Sequence, residues 1–226
     1  MPRSEGRSST EPSYNGPTIV RTRTWNSDGV LADIHHYGVT GQSYTDYDVV
    51  YGANGKPASA TYSDGMTATW SYYPGGGLQE IRYQGVTGKP FTALENDYDA
   101  FGDLAITTIT KTDGSRTITG RQDGLTLSGT AADERFVGGG VDETFALTAS
   151  IGHDTLADFA AHIAGSDHDT LSLTGTALDS FVELLAATTF SAGGALVTLD
   201  ANNTISIPKL TEAVMTANSG AFSFHA

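Results

Sequence analysis

Residues 129–146 are two nine-residue units set end to end, GTAADERFV and GGGVDETFA. Glycine opens each unit, Asp-Glu holds the fifth and sixth places, and phenylalanine holds the eighth. The two units are thus an internal repeat, and the glycines that open them mark places where the chain can turn tightly.

The two units resemble the calcium-binding nonapeptide of RTX, or haemolysin-type, proteins, with its pattern G-G-x-G-x-D-x-U-x. They depart from it at the fourth place, where Ala132 and Val141 replace glycine, and at the sixth, where Glu134 and Glu143 replace aspartate. The later segments GHDTLADF, DHDTLSLTGTALDSFVELLAA, ALVTLDANNTISIPKLT and a terminal AFSFHA are similar in order and spacing to the end of serralysin-like RTX proteins. The resemblance covers residues 127 to 226 and implies a short parallel β-roll, in which each unit is a tight turn followed by a three-residue strand, the turn carbonyls and the sixth-position acid face a cation, and Phe136 and Phe145 are buried pegs. It implies Ca2+ as the bound ion. The residues it assigns are Gly129, Asp133, Glu134, Gly138, Gly140, Asp142 and Glu143 in the two units, then Asp154 and Asp158, and Asp169 in the next strand. It also implies export by a type I system that reads an uncleaved C-terminus.

Read from the residues alone, Asp154 and Asp158 are four apart and would share one face of a strand. Between Ala177 and Ala187, Leu178, Phe181, Val182, Leu184 and Leu185 form one apolar stripe, which predicts a short helix packed over the roll. The alternating residues on either side of Asn202-Asn203 predict a final hairpin.

The N-terminal half has a different texture. Asp28-Gly29, Asn54-Gly55, Asp64-Gly65, the Pro74 to Gly77 run and Asp113-Gly114 separate segments rich in Val, Ile, Thr, Tyr and Trp, which is the pattern of an antiparallel hairpin meander. Trp25 recurs as Trp70, the run from Tyr37 to Gly41 as Tyr83 to Gly88, and Tyr47-Asp48 as Tyr98-Asp99, so a unit of about four strands repeats. Residues 18–121 resemble the YD-type repeats of large bacterial surface proteins. Their aromatic side chains read either as cross-strand pairs that hold the sheet or as a platform for polysaccharide or for another copy of the chain. Residues 1–17 have no periodicity and read as a disordered arm. The fold class expected of the whole is therefore mainly all-β.

Charge divides the chain near residue 121. Ten basic and thirteen acidic residues precede that point, and two basic and thirteen acidic residues lie beyond it, so the net charge of −14 splits as −3 and −11. This balance disfavours nucleic acid and anionic membranes and favours a cation. No cysteine occurs, which excludes disulfides and thiolate metal sites. No apolar run is long enough to span a membrane.

His153, His162 and His168 suggest zinc, but no helical His pair accompanies them. No nucleophile elbow or phosphate loop is present, although Asp46, Asp48, Asp97 and Asp99 could hide a glycosidase pair. The reading is a non-enzymatic, secreted or cell-surface, calcium-binding protein with a structural or adhesive role. The alternative is the C-terminal part of a secreted enzyme.

Overall fold

The computed structural model describes residues 7–10, 20–26, 29–161 and 168–225. The chain is mainly β and divides into two compact units, residues 1–103 and 104–226.

The first unit is a meander of eight strands: β1 (Arg7–Thr10), β2 (Val20–Trp25), β3 (Leu31–Tyr37), β4 (Asp46–Tyr51), β5 (Pro57–Tyr62), β6 (Thr67–Tyr72), β7 (Leu78–Gln84) and β8 (Phe91–Tyr98). Each strand pairs antiparallel with the next. Strand β1 lies within the stretch expected to be a disordered arm, and the rest of that arm lies outside the described residues.

The Asp/Asn-Gly signals are the turns. At the β5–β6 turn the Gly65 N–H donates to the Tyr62 carbonyl at 3.0 Å and the Met66 N–H to Asp64 Oδ1 at 3.0 Å, with Gly65 at φ 91°, where a side chain would be strained. The sequence repeat is also a repeat of backbone. Val39 N–H donates to the Thr45 carbonyl at 2.9 Å in the β3–β4 connection, and Val86 N–H donates to the Thr92 carbonyl at 3.0 Å in the β7–β8 connection.

The second unit opens with a hairpin, β9 (Leu104–Lys111) and β10 (Arg116–Gly120). Composition shifts near residue 121, but β10 belongs with the strands C-terminal to it because it pairs in parallel with β12 (Glu134–Val137). The compact unit therefore starts earlier, at Leu104.

From β10 onward the chain coils. One parallel ladder runs from β10 through β12 and β14 (His153–Leu156) to β18 (Thr204–Pro208). The other runs from β11 (Thr126–Ser128) through β13 (Thr144–Leu147) and β15 (Thr170–Thr174) to β19 (Phe222–His225). Successive coils give one strand to each ladder, as expected of a short β-roll. The register repeats every eighteen residues at first, with Arg116 beside Glu134 and Thr126 beside Thr144, which is two nonapeptides per coil.

The pegs behave as the repeat demands. Phe136 and Phe145 are fully buried, with ring centroids 6.1 Å apart, in a core that also holds Leu127, Leu156, Leu171 and Ile205. The hairpin expected around Asn202-Asn203 is present as β17 (Gly194–Thr198) against β18, with β16 (Thr188–Ser191) outside it. Helix α1 (Phe181–Ala186) is shorter than the predicted stripe. Ser180 caps its N-terminus, Leu184 is buried, and Val182 is 75% exposed, so Val182 is not part of the packed stripe.

The sequence pattern predicts no second helix, yet α2 (Glu212–Ala217) caps on Thr211 and buries Met215. The aromatic tail is β19 itself, a parallel partner of β15.

Candidate functional site

The acids of the nonapeptides line two rows of turns, one leading into each parallel ladder. In the first row Glu134 and Asp154 are neighbours on adjacent coils and both point inward, 2% and 1% exposed. Asp154 Oδ1 accepts the Glu134 N–H at 2.9 Å, while its Oδ2 is buried with no hydrogen-bond partner. The Glu134 carboxylate folds back on its own turn, accepting the Thr130 N–H at 3.1 Å and the Thr130 hydroxyl, and meets Arg116 Nη1 at 3.3 Å.

Burial, then the neighbouring Glu134 and Asp133, push the Asp154 carboxyl up to about 8, although the Glu134 N–H works the other way. Gly129 lies beside this pair. A Cβ there would stand 3.5 Å from Asp154 Oδ2 and 2.7 Å from the Leu147 side chain.

In the second row Glu143 and Asp169 take the corresponding places and are 1% and 2% exposed. Asp169 accepts the Glu143 N–H at 3.0 Å and the Ala160 N–H at 2.8 Å. The Glu143 carboxylate fills the hollow of its own glycine turn: a Cβ on Gly138 would meet Oε2 at 2.8 Å, and one on Gly140 would meet Oε1 at 2.6 Å. The acid end could swing away from a Cβ at Gly138, whereas a Cβ at Gly140 would also meet the Gln122 carbonyl oxygen at 2.9 Å, so the backbone itself favours glycine there.

The outward acids clip coil to coil. Asp133 Oδ1 accepts the His153 N–H at 2.8 Å, Asp142 Oδ1 the His168 N–H at 3.1 Å, and Asp158 the N–H groups of Gly138 and Gly139 at 2.9 and 3.4 Å. Asp154 and Asp158 do not share a strand face. Strand β14 ends at Leu156, the chain bends, and Asp158 serves the second nonapeptide turn while buried Asp154 serves the first.

The ten residues assigned from sequence thus fall into two rows, with Gly129, Asp133, Glu134 and Asp154 at one turn and Gly138, Gly140, Asp142, Glu143, Asp158 and Asp169 at the other. The donor sets are hard oxygens, which suit calcium or magnesium rather than zinc. The first row offers a cation Asp154 Oδ2, with the inward Glu134 carboxylate on the adjacent coil. In the second row the glutamate occupies the turn.

The histidines do not converge. His153 leads one ladder and its Nδ1 is 3.0 Å from Thr204 Oγ1, His168 leads the other and its Nδ1 is 3.4 Å from Asp142 Oδ1, and His162 lies outside the described residues. The candidate glycosidase acids do not converge either, since β4 and β8 are separated by β5, β6 and β7.

Sequence reasoning missed one cluster. Among the described residues, the only three His, Asp or Glu side chains whose ligand atoms lie within 4.8 Å of one another are Glu80, Glu95 and Asp97. They sit on adjacent strands around Arg82, which reaches Glu80 at 3.1 Å and Glu95 at 3.0 Å. Burial, then Glu95 and Glu80, raise the Asp97 carboxyl. Alternation in β7 and β8 places these residues on one face, and only the antiparallel register brings the strands together.

No protein-family model matches the chain, and no curated protein matches it. Among the described residues no helix is long and apolar enough to cross a membrane.

Proposed function

We propose that the chain is a non-enzymatic, secreted protein of structural or adhesive role whose roll is locked by calcium, with the antiparallel sheet as its working surface. One observation carries the reading: Glu134 and Asp154 are buried side by side at a coil turn, and Asp154 Oδ2 has no hydrogen-bond partner. Arg116 already meets the Glu134 carboxylate at 3.3 Å, so it is the Asp154 carboxylate, held out of water beside it, that still calls for a proton or a second cation. A hard divalent ion would use Asp154 Oδ2, a Glu134 oxygen and turn carbonyls.

Eleven net negative charges over residues 122–226 add a general demand for counter-ions. Extracellular calcium modules bind at about 0.1–1 mM, so the roll would be loose before export and locked outside. Type I export through the C-terminus belongs to the same reading.

Calorimetry of the full chain with chelator, 5 mM calcium or 5 mM magnesium tests it. Calcium should raise the melting transition of the roll, by about 1–3 kcal/mol at ten- to hundredfold excess over the dissociation constant, and magnesium should do less. Superimposable transitions in chelator and calcium would reject the calcium lock.

A further inference from the structure

Among the described residues of unit one, Ile34, Ala60 and Ala68 are the buried apolar side chains, and none of them joins the packed core cluster. The cluster of packed buried apolar residues is made of residues 118 to 222, all in the roll unit. Among the described residues, unit one holds no helix and no second sheet. Register and alternation sort its side chains onto two faces. Ile34, Val49, Ala60, Ala68, Tyr83 and Leu94 are successive cross-strand partners and share one face. Tyr47, Tyr62 and Trp70 lie on it as well, two residues from those partners.

Asp33, Asp48, Glu80, Glu95 and Asp97 alternate onto the other face. The first face carries Arg21 and Arg23 on β2 and no acid on β2 to β8. A sheet with one apolar face is stable only when another layer covers that face. Here Ala60 and Ala68 are buried by their neighbours, while Val49, Trp70, Tyr62 and Tyr83 remain half-buried.

We propose that a second copy of this chain covers this face, with the two sheets packed aromatic face to aromatic face about a two-fold axis at β5. Seven strands at about 4.8 Å and about six residues at about 3.3 Å give a face of about 30 by 20 Å. That buries about 1,200 Å² over two copies before side-chain relief is counted, which reaches the range of stable interfaces. β5 is the middle of β2 to β8, and Ala60, 2% exposed, gives closest approach at the axis.

This arrangement sets β2 of one copy over β8 of the other, so Arg21 and Arg23 meet the Leu94 and Tyr98 side of the partner rather than each other. A polysaccharide is a poorer occupant. The rings of His36, Tyr47 and Tyr62 stack on one another, at 4.3 Å and 5° and then at 5.3 Å and 23°, which spends ring faces that a sugar would need.

The chain has no cysteine, so single-cysteine variants report without background. Val49 and Val50 are adjacent and point to opposite faces. The full-length Val49→Cys variant, treated with a bis-maleimide spanning about 14 Å, should give a covalent dimer, because packed sheets lie about 10 Å apart and β4 stands about 4.8 Å to one side of the axis in each copy. Val50→Cys should not. Sedimentation equilibrium should give twice 23.6 kDa for the unmodified chain at micromolar concentration, in chelator and in calcium alike, so this result stands apart from the calcium lock.

Val49→Glu should raise the dimer dissociation constant at least tenfold with the circular dichroism of the sheet retained. If that variant unfolds, the two cysteine variants still decide. A monomer at 50 μM, cross-linking at Val50→Cys as strong as at Val49→Cys, or a monomer in which a uronate oligosaccharide shields Val49→Cys from maleimide would each overturn the proposal.

Discussion

The two units bury their apolar residues by different means. In the roll, each coil sends a peg inward from both ladders, and Phe136, Phe145, Leu156 and Leu171 are fully buried within a single chain. In the sheet, register places the apolar residues together on one face, where Ile34, Ala60 and Ala68 are buried and Val49, Tyr62, Trp70 and Tyr83 stay half-buried. Periodicity of two makes a face, whereas closure of that face needs a second layer. The roll supplies its own second layer because the nonapeptide turns the chain back after three or four residues.

The largest test of this contrast is Phe136→Ala. Removing a fully buried ring from a closed core costs about 3–5 kcal/mol. All ten tyrosines and both tryptophans lie at or before Tyr98, so tyrosine and tryptophan fluorescence reads the sheet and calorimetry reads both units. The calorimetric transition of the roll should fall steeply while the fluorescence midpoint holds. Equal movement of both signals would mean that the two units melt as one.

The fold was legible where spacing carried the physics. The nine-residue period with an apolar eighth place resembles a nonapeptide whose units stack as short strands, and Asp/Asn-Gly turns between alternating runs mark hairpins. Three things were not legible. The nonapeptide pattern places Glu134 and Glu143 at the turns but not their pose: each carboxylate curls back into its own turn, against Thr130 in one case and against Gly138 and Gly140 in the other. The Glu80, Glu95 and Asp97 cluster depended on pairing between strands, which no local pattern specifies. The division at Leu104 was hidden for the same reason, because hydrogen bonding of β10 to β12 outweighs the change in composition near residue 121.

The next effect is a pH dependence confined to the roll. The Asp154 carboxyl is raised to about 8 in the folded chain, chiefly by burial, above its ordinary value of 3.8. The contribution is therefore fully present below about pH 4 and is lost as pH rises through about 8. In chelator, lowering the pH from 8.5 to 5 should raise the roll transition by several degrees. Asp154→Asn keeps an acceptor for the Glu134 N–H and carries no charge, so it should raise the transition at pH 8.5 and flatten its response to acid. A roll that weakens steadily from pH 8.5 to 5 would show that the Glu134 and Asp154 pair does not govern it.

The smallest effect belongs to Arg82, which has a chemical counterpart in Arg116. Arg116 meets a Glu134 whose side chain is wholly buried, so the interaction is shielded from solvent and from salt. Arg82 bridges Glu80 and Glu95 on an open sheet face, where its own side chain is 43% exposed and the two carboxylates are each 27% exposed. Water and salt screen such pairs, and each is worth about 0.2–1 kcal/mol. Arg82→Ala also leaves Glu80, Glu95 and Asp97 together without their cation, which adds to the loss at low ionic strength. The stability of the sheet read by fluorescence should therefore drop by no more than about 2 kcal/mol in 0.15 M salt and by somewhat more in 0.01 M salt. A loss of several kcal/mol that salt does not reduce would place a buried charge network in the sheet, and would show that its polar face contributes to folding as the core does in the roll.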